Sequence, residues 1–506
     1  MKRKSREPEG IITIYLTITF TVLLSMFAGA WEGARISAYR VMLECAFHSA
    51  AFSAFGEYHK ELKEQYDLFF IDLSYMTDMP SVAKLSSRVQ NDMITNLQPP
   101  ETRLLFAKDF FGTGTVQVKV KDSEMATDLF GSVLEKQAAE YVKDNTPVGI
   151  AEDLVSLVKI QKEYELDEDS FEKRRQENQK SEKSESWERE YGEEKQTRIY
   201  QQIGFEYNFL NALDVLVVKK DAFTVSGKFL NPLDIPSLRT SVLKSDAGSF
   251  REVSYDPLQD AYFTEYVVRK CGNYARPKEG SFLSYEAEYV YGGFLNDSKN
   301  LSFTIRSIFY IRTAANYASL KKDKDKRERV ELIAAGISAL TEIPQKAAEE
   351  AIYCLWAGGE ATYDVGDLLR GEKVSLIKDA KEFHLSIENG FENLLSVGTE
   401  QISAALEDQS GKKTPEETVL GSYFETGDSL KVDIKLSYED YLRLLILQVP
   451  GEVRSLRMLD IIETDIRQTK GNEYFRIDFC LDAAMFEVRG TDAYGKNYYM
   501  KRQYAY

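Results

Sequence analysis

The sequence contains few of the residues that usually carry chemistry in proteins. Its 506 residues include only three histidines and four cysteines. No two cysteines are close enough to form a Cys-x-x-Cys metal or redox site. Neither the Gly-x-Ser-x-Gly nucleophile turn nor a phosphate-binding loop is present. The sequence therefore predicts no catalytic residue, no metal site, no resident cofactor and no enzyme activity.

The histidines, His48, His59 and His384, lack the spacing of a metal site. His48 and His59 lie in what reads as one helix, where helix rise separates them by about 16 Å. The pair of histidines four residues apart that zinc proteases use does not occur. None of the three is expected to be catalytic.

The cysteines are too few and too scattered for a disulfide scaffold. They are Cys45, Cys271, Cys354 and Cys480, which could pair in three ways. We expect buried thiols or a single incidental bridge.

Acidic residues outnumber basic ones, 81 to 64. The formal net charge is −17 at pH 7, and no basic stripe is visible along the chain. This balance argues against nucleic acid as a partner and favours a soluble, self-repelling domain.

One long apolar run stands out near the N-terminus. From Ile11 to Trp31 no residue is charged, and these roughly 21 residues would span about 31 Å as a helix, close to the thickness of the hydrocarbon core of a bilayer. Basic residues precede the run (Lys2, Arg3, Lys4 and Arg6). The sequence thus predicts a single-pass protein of the cell membrane, with a cytoplasmic N-terminus and the bulk of the chain extracytoplasmic.

Two other interpretations of this run remain open. A secretory signal could be cleaved near Ala28-Gly29-Ala30, although its apolar core would be unusually long. A prepilin-type leader could be cut after Gly10, although the glutamate that pilins carry early in the run is missing and Tyr15 lies near its place.

Small residues recur at every fourth position of the run, which places them on one ridge of a helix. They are Thr13, Thr17, Thr21, Ser25, Gly29 and Gly33. Close packing and hydroxyl hydrogen bonds hold helices together in lipid, so the ridge is a predicted packing face for another membrane helix. Alternatively, the hydroxyls bond to their own helix and the ridge faces lipid.

The rest of the chain indicates a helix-dominated α+β fold. We predict a helix continuing from the membrane with an apolar face of Val41, Cys45, Phe52, Phe55, Leu62 and Phe69. Further predicted helices cover 125–142, the region around Val330, a segment from Pro344 that stops at Gly358-Gly359, the segment before Pro450 and 452–467. Predicted strands lie near Gly114, Phe223, Leu430 and Cys480 and at the C-terminus.

The predicted organisation is serial. It comprises a cytoplasmic basic tip (1–10), the transmembrane helix (11–31), a stalk helix with a first α+β region (32–160), a charged linker (161–198), a mostly helical ectodomain core (199–424) and a C-terminal α+β region (425–506).

Acidic pairs offer an alternative, enzymatic hypothesis. Glu286, Glu288 and Asp364 lie in acidic stretches that could cluster for acid–base work, as in a surface hydrolase acting on cell-wall polymers. In so acidic a chain, pairs of this kind are expected by chance. An adhesive binding module is a further alternative, suggested by 30 tyrosines.

Several stretches together resemble a known family. In chain order they are LSYEAEYVYGG followed by KNL, FYIRTAANY, WAGGEATYDVGDLLRGEKVSLIK, LSYEDYLRLLIL and RMLDIIETDIR. They are similar to a domain-of-unknown-function family of Gram-positive bacteria that accompanies Tad/Flp pilus genes. The block from Gly10 through YDLFFID resembles the first helix of TadE/TadG-type pseudopilins.

The resemblance implies a membrane-anchored structural component of a pilus or related secretion assembly, similar to a minor pseudopilin. Its expected partners are the membrane and other pseudopilin or platform membrane proteins, contacted through the N-terminal helix. It implies no catalytic residues.

Overall fold

The computed structural model describes residues 9–75, 79–97, 113–146, 226–239, 258–340, 344–386, 434–492 and 494–506, together with 149, 154–156, 158–159 and 242. The helices are α1 (Glu9–Phe55), α2 (Lys60–Tyr66), α3 (Val82–Leu97), α4 (Asp128–Asn145), α5 (Gln259–Lys270), α6 (Glu286–Gly292), α7 (Asp297–Lys322), α8 (Lys324–Leu340), α9 (Gln345–Leu369), α10 (Tyr438–Gln448) and α11 (Gly451–Gln468). The strands are β1 (Ile71–Asp72), β2 (Thr113–Met125), β3 (Val374–Ser375), β4 (Lys435–Leu436), β5 (Cys480–Asp492) and β6 (Asn497–Ala505). The predicted class, a helix-dominated α+β fold with a long apolar N-terminal helix, is confirmed.

The chain forms two compact units that are not consecutive stretches of sequence. Unit 1 contains Met1–Lys63, Phe69–Ala126 and Phe479–Tyr506, and unit 2 contains Glu64–Leu68 and Thr127–Asp478. The predicted ranges 32–160 and 425–506 are each divided between the two units. Periodicity along a sequence cannot show this, because the strands that complete unit 1 come from opposite ends of the chain.

Unit 1 packs two helices, α1 and α3, with an antiparallel sheet. Strand β5 is central and pairs antiparallel with β1, β2 and β6. The second half of α1 buries a seam at helical spacing against the sheet, formed by Tyr39, Leu43, Phe47, Ala50 and Ala54. Gly490 of β5 allows this approach, because a Cβ there would lie 3.1 Å from both methyl carbons of Leu43.

The predicted apolar face of α1 is wrong in part. Val41, Cys45 and Phe52 are exposed, and Phe52 retains 71% of its surface. Phe55 and Leu62 are buried, while Phe69 is half-buried. The helix is also shorter than expected, since it ends at Phe55 and His59 therefore lies outside it.

That error has a simple cause. Both faces of this part of α1 carry apolar residues, so composition along the helix does not distinguish them. The buried face is the one that meets the sheet, and the strands that form the sheet are distant in sequence.

Unit 2 is built around α7 and α9. Their apolar contacts with α8 form a core that includes Tyr317, Leu320, Val330, Ile352 and Trp356. The sequence predicted that this helix stops at Gly358-Gly359. In the structure, α9 continues to Leu369. Both glycines are buried, and a Cβ on Gly358 would lie 3.8 Å from the ring of Phe309 on α7. Close packing of α9 against α7 thus outweighs the cost of about 1 kcal/mol that each glycine imposes on a helix.

The remaining predicted elements are mostly found with shifted bounds. β2 contains the alternating stretch near Gly114, and α4 begins at Asp128 rather than 125. α10 and α11 occupy the segments predicted on either side of Pro450. The strand predicted near Cys480, for the stretch EYFRIDFCLD (473–482), begins only at Cys480 and runs to Asp492. Four predicted parts lie wholly or mostly outside the described residues: residues 1–8 of the basic tip, the charged linker 161–198, the strand near Phe223 and most of that near Leu430.

Candidate functional site

The first half of α1 is exposed over its whole surface. Residues 12–34 are all exposed, and the helix from Ile12 to Phe55 contains a window with a mean hydropathy of 1.8. Within the described part of the chain, it is the one helix long and apolar enough to cross a membrane. A signal sequence near an N-terminus would meet the same criterion.

The predicted packing ridge lies on this exposed half. The hydroxyls of Thr17 and Thr21 donate to the carbonyls of Thr13 and Thr17 at 2.7 Å, and Ser25 donates to Val22 at 2.8 Å. In the isolated chain, the hydroxyls are therefore bonded within their own helix. Gly29 and Gly33 have open space where a Cβ would stand. The ridge, from Thr13 to Gly33, remains a predicted contact.

Arg35 marks the point where α1 first contacts the sheet of unit 1. Its guanidinium donates to Asp492 Oδ2 at 3.0 Å and to Glu32 Oε1 at 2.7 Å. The ring of Tyr494, in the β5–β6 turn, lies 4.1 Å from the guanidinium carbon of Arg35. One turn further along the helix, the Tyr39 hydroxyl donates to the Thr491 carbonyl at 2.9 Å. These contacts fix the β5–β6 turn beside the helix just after Trp31.

Unit 2 contains a second candidate, a buried ionic cluster that we call the Lys378 cluster. It consists of Arg312 and Asn316 on α7, Glu360 and Asp364 on α9, and Lys378 and His384 on the segment after β3. Residues four apart on a helix share a face, so α7 and α9 each present two polar groups at the same place.

Asp364 is the centre of the Lys378 cluster. Its Oδ2 accepts hydrogen bonds from Arg312 Nε at 2.9 Å and from Asn316 Nδ2 at 2.8 Å, and Arg312 Nη2 lies 2.9 Å away. Its Oδ1 lies 2.5 Å from Lys378 Nζ. Arg312 also donates to the carbonyls of Ser375 and Leu376, which fixes the segment that carries Lys378.

Glu360 is the second carboxylate in the cluster. It contacts Lys378 Nζ, accepts the backbone N–H groups of His384 and Leu385, and lies 3.0 Å from His384 Nδ1. Burial raises the pKa of Glu360, but hydrogen bonds from His384 and the charge of Lys378 outweigh burial and lower it to about 2. The hydrogen bond to Glu360 raises the pKa of His384. Glu360 is therefore ionised at neutral pH.

The same residues include a possible set of metal ligands. Glu360, Asp364 and His384 each offer one ligand atom, all within 4.8 Å of one another. The ammonium of Lys378, however, already contacts both carboxylates. A metal ion would have to displace that cation, so the arrangement fits an internal ion pair better than a metal centre.

The three carboxylates of the hydrolase hypothesis are not on the surface. Glu286, Glu288 and Asp364 all have 0% exposure. Glu286 accepts the N–H of Gly272 at 2.7 Å and Glu288 that of Tyr274 at 2.8 Å, whereas Asp364 belongs to the Lys378 cluster. None of these three side chains is exposed to solvent in this structure.

Neither Lys378 nor the pair Arg312 and Asn316 was predicted from the sequence as a site residue. A usable signal was present, because Glu360/Asp364 and Arg312/Asn316 are polar pairs at four-residue spacing, each flanked by mostly apolar residues. Lys378 gave no such signal, since its partners depend on how the segment after β3 folds back onto α9.

The fold and these sites define a helix-dominated α+β protein with an apolar N-terminal helix and a charged interior. Residues 207–492, more than half of the chain, match the family of unknown function DUF5702. The chain belongs to that family. The match covers the Lys378 cluster and most of unit 2, whereas α1 lies outside it. No curated protein and no solved structure matches the sequence.

Proposed function

We propose that this protein is a membrane-anchored, extracytoplasmic structural component of a Tad/Flp-type pilus or a related secretion assembly. In this proposal, α1 is both the anchor and the packing element, similar to a minor pseudopilin. The remainder of the chain forms the external body, and no catalytic step is assigned to it.

The contrast along α1 carries the proposal. A single unbroken helix is exposed and uncharged from Ile12 to Trp31, and from Tyr39 onward one of its faces is buried against the sheet of unit 1. An apolar helix exposed over several turns is unfavourable in water, because apolar surface gains free energy of about 25 cal/mol per Å² when it is removed from water. Lipid or another apolar helix would remove that cost.

The end of the bare segment supports a membrane boundary. Trp31 and Tyr494 are exposed, and Tyr494 packs on Arg35, one turn beyond Trp31. Amphipathic aromatic side chains are enriched at the level of lipid headgroups. The β5–β6 turn would then lie at the membrane surface.

The step from membrane anchor to pilus assembly depends on the resemblance of the N-terminal block to TadE/TadG-type pseudopilins. The small-residue ridge supports it, because it offers a surface on which a second helix can pack closely.

Cys45 provides a direct test of the anchor and its orientation. It is exposed on unit 1, whereas Cys271 and Cys480 are buried and Cys354 is half-buried. A membrane-impermeant maleimide added to intact cells should label the full-length protein, and alkaline carbonate should leave the protein in the membrane. The Cys45→Ser variant should lose that labelling. Labelling only after cell lysis would overturn the orientation, and release by carbonate would overturn the anchor.

The packing role can be tested separately. We expect Gly29→Leu to reduce the recovery of co-purifying membrane proteins without reducing membrane insertion, because the larger side chain blocks close approach. Ala28→Leu places the same leucine side chain beside the ridge and should leave recovery unchanged. Equal recovery with both variants would contradict the packing role while leaving the anchor intact.

A further inference from the structure

Lys378 is held in an unusual position for a lysine. Its side chain is 3% exposed, and those of Glu360 and Asp364 are 0% exposed. Its Nζ contacts Glu360 Oε1 and lies 2.5 Å from Asp364 Oδ1. The ring centroid of Phe383 lies 5.6 Å from the same nitrogen. An amine is thus confined between two carboxylates, beside an aromatic ring and away from water.

The carboxyl group of Asp364 is polarised from one side. Arg312 and Asn316 direct their donors at Oδ2, at 2.8–2.9 Å, and leave Oδ1 towards Lys378. Donors fixed around one oxygen stabilise the negative charge that develops there during attack on a carbonyl carbon. The arrangement provides a nucleophile, an acyl carbon with a site for an oxyanion, and a second carboxylate that can accept a proton.

We propose that Lys378 and Asp364 condense to form an intramolecular isopeptide bond between the segment after β3 and α9. Glu360 accepts one proton from the Lys378 ammonium, and the freed Nζ lone pair attacks Cγ of Asp364. The displaced electron pair rests on Oδ2, held by Arg312 and Asn316. Glu360 passes its proton to Oδ1, and a second proton moves from the nitrogen to Oδ1. Oδ1 then departs as water, and the carbonyl re-forms at Oδ2.

The atoms and charges balance without any further reactant. The three ammonium protons become one amide proton and the two protons of the released water. One positive and one negative charge disappear, while Arg312 keeps its positive charge and Glu360 its negative charge.

Burial favours the products. Keeping two ions out of water costs several kcal/mol for each ion before their mutual attraction is counted, and a neutral amide avoids that cost. The fixed contact between Lys378 and Asp364 speeds the condensation, because reacting groups held together behave as if present at very high effective concentration. The proposal concerns unit 2 alone and does not depend on the membrane assignment.

The chain offers an internal comparison. Lys278 Nζ lies 3.0 Å from Asp465 Oδ2, but the lysine side chain is 24% exposed and also contacts the Tyr66 hydroxyl at 2.9 Å. Asp465 Oδ2 accepts from Tyr66 at 2.7 Å, and this more open pair has no arginine directed at its acyl oxygen among the contacts of the described residues. We therefore expect the bond at Lys378 and none at Lys278.

The test is the intact mass of the folded, full-length protein, measured after denaturation. The proposal requires a mass lower than that of the sequence by one water, and a branched peptide joining Lys378 to Asp364 after proteolysis. The full sequence mass for folded protein would overturn it. A loss of water located at Lys278 or at any other residue would overturn it as well.

Variants then test the roles of the side chains. Asp364→Asn should release ammonia instead of water and converge on the same product mass as the wild type. Lys378→Arg should retain its full mass, and Glu360→Gln should accumulate the bond much more slowly. Each comparison uses folded protein, confirmed by circular dichroism. A Glu360→Gln variant that forms the bond as fast as the wild type would remove Glu360 from the mechanism.

Discussion

The interiors of the two units differ in kind. Unit 1 closes α1 over its sheet with an apolar seam, and its buried arginine, Arg35, lies at the edge where the bare helix begins. Unit 2 buries whole ion pairs among its helices, including Arg312 with Asp364 and Arg443 with Glu265. Apolar packing is insensitive to pH and loses stability in proportion to the atoms removed. The stability of a buried charge network depends on every charged partner, because removing one partner leaves a buried opposite charge unpaired.

The largest effect should follow from breaking an ion pair in unit 2. Arg443 Nε lies 2.7 Å from Glu265 Oε2, and Nη1 lies 3.1 Å from Asp440 Oδ1, with all three side chains at least 94% buried. Arg443→Ala should lower the free energy of unfolding of unit 2 by about 5 kcal/mol, because it leaves buried carboxylates without their main partner. Denaturant titration with hydrogen exchange of α10 peptides measures this loss.

Arg327 provides the matched control. It pairs with Glu331 at 3.9 Å with both side chains about half exposed, so Arg327→Ala should change stability by no more than about 0.5 kcal/mol. Burial opposes the charge of Glu265, but Arg443 lowers its pKa. That contribution to stability is present above the ordinary carboxyl pKa and is lost as pH falls. The Arg443→Ala loss should therefore shrink in acid, and a loss that is constant with pH would contradict the ionic explanation.

In unit 1, the second largest effect should come from the apolar seam. Phe47 is fully buried, with its ring centroid 5.5 Å from that of Phe486 on β5. Phe47→Ala should cost about 4 kcal/mol through lost contacts and a cavity. Hydrogen exchange of β5 peptides should show the loss, equally at acid and neutral pH.

Phe52 makes this prediction specific to one face. It lies on the same helix but is 71% exposed, so Phe52→Ala should stay within about 0.5 kcal/mol of the wild type. Comparable losses for Phe47→Ala and Phe52→Ala would mean that the buried face of α1 is not the one seen in the structure.

Local sequence accounted for elements whose signals are local. The apolar length of α1, the alternation in β2 and the helices on either side of Pro450 were all predicted. At Ser437, a capping box explains the sharp start of α10, because its hydroxyl accepts the Asp440 N–H while the Asp440 carboxylate accepts the Ser437 N–H.

Features set by distant partners were not predictable in the same way. The buried face of α1 depends on β5, more than 400 residues later. The continuation of α9 through Gly358-Gly359 depends on α7, and the environment of Lys378 depends on three separate segments. The stretches quoted for the family resemblance do contain Glu286, Arg312, Glu360, Tyr441 and Asp465. What a single sequence could not show was that these polar residues face inward, since charged residues are usually exposed.

The smallest of the three effects is a pH dependence of stability, which we expect from the charged interior of unit 2 and not from the apolar seam of unit 1. Burial raises the pKa of Glu288 to about 7, above the ordinary value near 4.5. The folded state therefore retains a proton that the unfolded state has released. The stabilising contribution is fully present below about pH 4.5 and is lost as pH rises through about 7, at a cost of up to about 3 kcal/mol.

Glu288→Gln removes this titration but keeps an oxygen acceptor for the Tyr274 N–H at 2.8 Å and the Tyr438 hydroxyl at 2.7 Å. The variant should match the wild type near pH 4 and exceed its unfolding free energy by up to about 3 kcal/mol near pH 8. Glu328→Gln, at an exposed position on α8, should follow the wild-type curve throughout. Stability curves for Glu288→Gln and the wild type that run parallel from acid to alkaline pH would show that Glu288 is ionised in the folded protein, and the charged interior of unit 2 would then respond to pH through other groups.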